Sequence, residues 1–165
     1  MILRLLAALI ALAPATNVSA QVAVSLAPDF STAPVAAGSW TYQTLPGGSE
    51  SRFIDATGIA RLILHCTKAT RQVSFSPTSA VPSPSLFVWT SSASRNLPAR
   101  FEPNAMRVTA DLSAFDPLLD AIAFSRGRVA VTLAGMGAGG FSLVVPALVM
   151  PVGPEAARTI EDCRI

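Results

Sequence analysis

The sequence predicts a β-rich α+β domain, an antiparallel β-sandwich or open barrel with two short helices and a single disulfide. Three observations carry this reading. Short stretches that alternate apolar and polar residues recur between clusters of Pro, Gly, Ser and Asn. Only two stretches, near residues 115 and 155, space their apolar residues at helical intervals. Two cysteines, Cys66 and Cys163, sit where a strand and the last helix would each turn one residue inward.

The chain opens with Arg4, an apolar run from Leu5 to Ala13, Pro14 and then small residues ending Val18-Ser19-Ala20. That order is the signature of a secretory signal peptide, with cleavage expected after Ala20. The apolar run is shorter than the about 20 residues that a membrane-spanning helix needs. The residue directly after the cleavage point is Gln21 and not a cysteine, and no second apolar stretch reaches spanning length. The expected organisation is a signal peptide over 1–20, a flexible lead-in over 21–39, and one β-rich domain over 40–165 in the periplasm or outside the cell, without a membrane span.

Strand by strand, Trp40-Thr-Tyr-Gln-Thr-Leu45 alternates and Pro46-Gly47-Gly48 turns the chain. Ser51–Ala56 is a second strand. In Ile59–Cys66, residues Ala60, Leu62, Leu64 and Cys66 share an apolar face, and Ile59, Arg61, Ile63 and His65 share the other. Arg71–Phe75 is its hairpin partner, with Val73 and Phe75 inward. Residues 76–85 form a loop. Leu86–Thr90, apolar on both faces, belongs in the middle of a sheet, and Ser91–Asn96 is a polar loop. Ala99–Glu102 and Met106–Ala110 are short strands around Pro103-Asn104, with Met106, Val108 and Ala110 on one face.

The period then changes. Phe115, Leu118, Leu119 and Ile122 make one helical stripe, with Asp116 as N-cap, Pro117 at the first helical position and Gly127 as the C-cap. The expected helix is about ten residues long. Val129, Val131 and Leu133 resume a strand, Gly135–Gly140 turns it, and Phe141–Val145 returns antiparallel. Pro154 opens the last helix, with Ala156, Ile160 and Cys163 on its inner side and Arg158 and Asp162 at ion-pair spacing. Pairing Cys66 with Cys163 would staple this helix to the sheet. It would close a loop of roughly 100 residues, worth up to about 4.7 kcal/mol in the chain-entropy picture. An exported chain meets an oxidising compartment, where such pairing is the default.

Charge narrows the function classes. The formal net charge is +2, falling to +1 without Arg4, and Lys68 is the only lysine beside eleven arginines. A nucleic-acid binder needs a clustered basic excess that this chain lacks, so no nucleic acid is expected as partner. His65, the only histidine, could act as a base with an aspartate, but no G-x-S-x-G elbow presents a serine to it. His65 and Cys66 point to opposite faces and cannot share a metal. The Gly135–Gly140 loop has neither the lysine nor the following helix of a phosphate-binding loop. Asp111, Asp116 and Asp120 read as structural carboxylates. No catalytic residue, metal ligand or cofactor is assigned.

Ser125-Arg126-Gly127-Arg128 is the most suggestive polar cluster. Arg126 and Arg128 could grip a carboxylate or phosphate bidentately. Alternatively, Arg126 complements the helix dipole and Arg128 pairs with Glu161 or Asp162. The sheet face around Arg61, Ile63 and His65 is a second candidate surface.

Asp116-Pro-Leu-Leu-Asp-Ala-Ile-Ala-Phe-Ser-Arg-Gly-Arg128, then Pro146 and Glu155-Ala-Ala-Arg-Thr-Ile-Glu-Asp-Cys-Arg164, resembles a group of uncharacterised exported proteins of sphingomonad-type alphaproteobacteria. The likeness runs from about residue 40 to the end. That group usually has a tryptophan before the final helix, whereas Pro146–Pro154 here has none. The layout of export signal, β-rich body and C-terminal cysteine near a short helix is also similar to invasion-associated locus B-type and type VI secretion-associated accessory proteins. These resemblances bring no catalytic residues. Together the residues lead to an exported periplasmic or envelope binding module without enzymatic activity, its partner an envelope protein or a small anionic ligand. A small hydrolase using His65, or a structural or secretion-system accessory factor, are the alternatives.

Overall fold

The computed structural model describes residues 28–136, 142–144 and 146–165. The signal peptide expected over 1–20, the first part of the lead-in and the centre of the Gly135–Gly140 turn lie outside these residues. Chain order is β1 (Gly38–Leu45), β2 (Gly48–Asp55), β3 (Ala60–Thr67), β4 (Gln72–Pro77), β5 (Ser85–Trp89), β6 (Ser94–Pro98), β7 (Arg100–Glu102), β8 (Arg107–Ser113), α1 (Pro117–Ala123), β9 (Arg128–Met136), β10 (Ser142–Val144), β11 (Leu148–Pro151) and α2 (Pro154–Asp162).

Hairpin turns dictate the first sheet. Pro46 fixes its own backbone, and Gly47 takes the left-handed φ of 81° that the next turn position requires. Leu45 thereby lies opposite Gly48, and the register runs unbroken to Gly38 opposite Asp55. Successive antiparallel pairs build a six-stranded sheet in the order β1-β2-β3-β4-β8-β7. A second antiparallel sheet runs β10-β9-β5-β6, with β11 also on β9. The molecule is thus β-rich α+β with two antiparallel sheets, two helices and one disulfide, as the residue patterns imply.

The core lies on the inner faces. Phe53, Leu62, Leu64, Val73 and Phe75 from the first sheet meet Leu86, Val88, Val131 and Leu133 from the second, all nearly or fully buried. Leu118, Leu119 and Ile122 of α1 and Ala156 and Ile160 of α2 close the remainder. Cys66 on β3 and Cys163 at the end of α2 are joined, their Cα atoms 5.5 Å apart, so α2 is stapled across the inner face of the first sheet.

Several expectations need correction. Ser91–Asn96 is not all loop, because Ser94–Pro98 forms β6, paired with β5 from Ser85↔Pro98 to Trp89↔Ser94. As an edge strand it buries only Leu97, so it shows no alternation. Met106 does not share the face of Val108 and Ala110. It takes a left-handed φ of 52° in the turn before β8 and is exposed. α1 ends at Phe124 after seven helical residues, and Gly127 serves the turn into β9 rather than a C-cap. Asp116 does cap α1, accepting from the Leu118 amide at 2.9 Å. Phe115 is left exposed outside the helical stripe, with the Arg71 guanidinium 5.8 Å above its ring. Arg158 does not pair with Asp162. It lies 4.1 Å over the Tyr42 ring, while Asp162 accepts from the Tyr42 hydroxyl.

The described part of the lead-in is held by contacts rather than free. Phe30 meets Trp89 edge-on at 6.0 Å, the Ala33 carbonyl accepts from Arg128, and the Ala36 amide donates to Val149 at 2.8 Å. No helix of the described residues is long and apolar enough to cross a membrane.

Candidate functional site

The outer face of the six-stranded sheet carries the densest polar arrangement. Strand alternation sends Phe53, Leu62, Leu64 and Cys66 inward, so Glu50 and Arg52 of β2 and Arg61, Ile63 and His65 of β3 face outward. Register then aligns them across strands. Gln43 lies opposite Glu50, Glu50 opposite His65, His65 opposite Ser74, and Ser74 opposite Asp111. One straight row therefore crosses five strands.

Glu50 anchors the row. Although it faces outward, it is buried, enclosed by its neighbours' side chains. A carboxylate taken from water needs compensating donors. Arg52 Nε supplies one at 2.5 Å and Gln43 Nε2 a second at 3.1 Å. His65 Nδ1 is 3.4 Å from the other carboxylate oxygen, farther than an ordinary hydrogen bond. At the far end, Ser74 Oγ donates to Asp111 at 2.6 Å, and Arg100 pairs with the same carboxylate. The hydrogen bond to Asp111 is also the main reason the Arg100 guanidinium sits above its usual range.

A second line runs beside the first. Ser76 and Thr109 share a hydrogen bond of 3.0 Å. Arg107 reaches across β4 to donate to the carbonyls of Ser76, at 2.7 Å, and Ala60, at 3.0 Å. Burial, and then the nearby Arg52, hold the Arg107 guanidinium below the usual arginine range against the pull of Glu50 and Glu102. Arg61 is half-exposed and only loosely tied, its Nε 3.8 Å from Asp55. The face thus presents Arg61 and His65 to solvent around a fixed Glu50–Arg52 pair.

The surface is shallow. An open depression beside Arg100, Thr109 and Asp111 lies at the end of the row, and a cleft of about 40 Å³ opens between Arg61, Thr78, Val131 and Leu148. Such a cleft has room for roughly three waters. Among the described residues, no group of three His, Cys, Asp or Glu side chains could hold a metal ion.

The structure separates the two arginines of the other candidate corner by role. Arg128 Nη1 donates to the Ala33 carbonyl at 2.6 Å and so holds the lead-in. Arg126 is exposed, and its backbone amide donates to Ser91 Oγ at 2.8 Å. Ser125 Oγ donates to the Arg128 carbonyl at 2.6 Å and accepts from the Ser91 amide at 3.1 Å, joining the corner to the β5–β6 turn. The alternative pairing of Arg128 with an acid is not formed, since Glu161 pairs with Arg164 and Asp162 with Tyr42. Nor does Arg126 complement the dipole of α1, whose last turn holds no basic residue. The three aspartates are dispersed: Asp111 pairs with Arg100, Asp116 with Arg95 at 2.7 Å, and Asp120 with Arg164 at 2.7 Å.

For His65 the acid within reach is Glu50, not an aspartate. Its other cross-strand neighbour, Ser74, commits its proton to Asp111. Sequence reasoning missed Glu50 because it began the second strand at Ser51 and left Glu50 unassigned between that strand and the Pro46–Gly48 turn. The alternation Ser49-Glu-Ser-Arg-Phe53 was the signal that could have placed it. No family model, no curated protein and no solved structure matches this chain.

Proposed function

We propose that this chain is an exported binding module of the bacterial envelope, acting without turnover through the outer face of its six-stranded sheet. The observation that carries the reading is the five-strand row from Gln43 to Asp111, with Arg61 and His65 left accessible beside a fixed Glu50–Arg52 pair. A flat, regular, mixed-charge face suits a protein partner, whose surface can meet several rows at once. The disulfide is compatible with an oxidising compartment. The signal-peptide pattern of residues 1–20 adds the export step. The Arg126–Arg128 corner is less suited to binding, because Arg128 is already engaged by the lead-in.

The test compares capture from native envelope extract by three forms of the chain from Gln21: unaltered, Arg61→Ala/His65→Gln, and Arg126→Ala/Arg128→Ala. The first pair of substitutions leaves Glu50 with Arg52. A partner lost only with Arg61→Ala/His65→Gln is the expected result. Loss only with Arg126→Ala/Arg128→Ala would move the site to the other corner. A saturable hydrolytic activity abolished by His65→Ala would replace binding with catalysis.

A further inference from the structure

A β-sheet edge left unguarded is a surface for another strand, and proteins ordinarily blunt theirs with proline, charge, shortness or a bulge. Most edges here are blunted. β7 has three residues bearing Arg100 and Glu102, β6 carries Arg95 and Pro98, and β11 ends in Pro151 and is engaged by the Ala36 amide. β1 is different. Its eight residues, Gly-Ser-Trp-Thr-Tyr-Gln-Thr-Leu, contain no proline and no charge, its register with β2 has no bulge, and Thr41, Gln43 and Thr44 are exposed. α2 packs over β1, β2 and β3, on the inner face of the sheet.

The hydrogen-bond phase of this edge follows from the turn. The Lys68 amide donates to the Gly47 carbonyl, so at the next position the polar groups of Gly48 face β1 and close the hairpin with Leu45. Alternation then aims the backbone N–H and C=O of Thr44, Tyr42, Trp40 and Gly38 away from β2.

The geometry points to a second copy of this chain as the occupant, with β1 pairing antiparallel to itself about a two-fold axis at Tyr42. In that register Tyr42 exchanges hydrogen bonds with the partner's Tyr42, and Trp40 and Thr44 with the partner's Thr44 and Trp40. All of these residues have outward-facing backbone groups. On the outer face no charge opposes a like charge. The Glu50–Gln43 row runs on into the partner's Thr41 and Arg52, acid row into basic row. Shifting the axis to Thr41 would instead run the two Arg52 rows into each other. Because directly opposed residues share a face, the outer faces of both copies become one continuous surface of twelve strands. One added strand buries less than the roughly 1,200 Å² of a standard stable interface, so the dimer is weak and concentration-dependent. This inference stands independently of the binding role above.

Sedimentation velocity on the chain from Gln21, between about 10 μM and 1 mM, measures it. A reversible monomer–dimer equilibrium is expected. Thr44→Pro removes an outward amide without touching the β1–β2 ladder, and Ser39→Lys, at an exposed position of β1, places a guarding charge on the edge. Each should weaken dimerisation at least tenfold while leaving the thermal midpoint near that of the unaltered chain. Thr41→Cys mixed with Gln43→Cys should give a disulfide-linked dimer that neither variant forms alone. Monomer at every concentration, a dimer indifferent to both edge variants, or cross-linking of Thr41→Cys with itself would overturn the proposal.

Discussion

Thr159 is completely buried on α2, and its hydroxyl has no hydrogen-bond partner; Ser49 and Ser51, on the inner face of β2, are in the same position. A buried hydroxyl without a partner opposes folding by about 1–3 kcal/mol. Thr159→Val keeps the shape and removes the hydroxyl, so it should stabilise the protein by about 1 kcal/mol, read as a higher urea midpoint. A lower midpoint would mean that the hydroxyl contributes a bond. Asp116 provides a different residue-scale test. Burial favours its neutral form, but the Arg95 hydrogen bond and the Leu118 amide outweigh this and hold its carboxyl below the ordinary value of 3.8. A carboxylate with a depressed folded pKa adds stability above its unfolded value and loses it as the pH falls through the folded one. Asp116→Asn keeps a capping oxygen but cannot titrate. The stability advantage of the wild type over this variant should therefore be constant above about pH 5 and shrink below pH 4. A difference that grows on acidification would reverse the assignment.

At the scale of elements, α2 is held to the sheet by unlike means. Ala156 and Ile160 are buried, the disulfide fixes its end, and Arg164, paired with Glu161 of α2 itself, clamps it to the α1 segment through Asp120 and the Ala114 carbonyl. Ser49 and Ser51 of β2 and Thr159 of α2 are buried without hydrogen-bond partners and oppose folding, so the disulfide should matter more than for a helix whose buried side chains are all apolar. Replacing Cys66 and Cys163 together by Ala should cost about 2–5 kcal/mol in chemical unfolding. A loss below about 1 kcal/mol would show that packing alone holds α2. Legibility in the sequence followed the same physics. β3 and β4 were readable because alternate side chains are buried, β1 because Trp40 and Tyr42 are the more covered of its alternating residues, β9 because Val129, Val131 and Leu133 recur at every second position, and both helices because Pro117 and Pro154 open an apolar stripe. β6 was not, since Ser-Arg-Asn-Leu-Pro buries one side chain. Phe115 and Met106 obeyed the right period but fell just outside their elements, where period no longer dictates burial.

The whole molecule joins distant segments that no local pattern connects. Cys66 could be paired with Cys163 from composition and facing alone, since there was no other choice. The polar row could not, because it depends on five strands and four registers, and a one-residue shift in any of them would send its members to the other face. Arg128 shows the reverse case: its partner, the Ala33 carbonyl, lies 95 residues away and has no side-chain signature. The account rests most heavily on the outer face of the six-stranded sheet as the surface of contact. Its most direct test is a photo-reactive phenylalanine analogue placed at Ile63, amid Arg61 and His65, or at exposed Phe124 beyond α1. Each form would be illuminated in the cells that export it and the adducts resolved by mass. A discrete adduct from Ile63 and none from Phe124 is the expected result; an adduct from Phe124 alone, or none from either position, would contradict it.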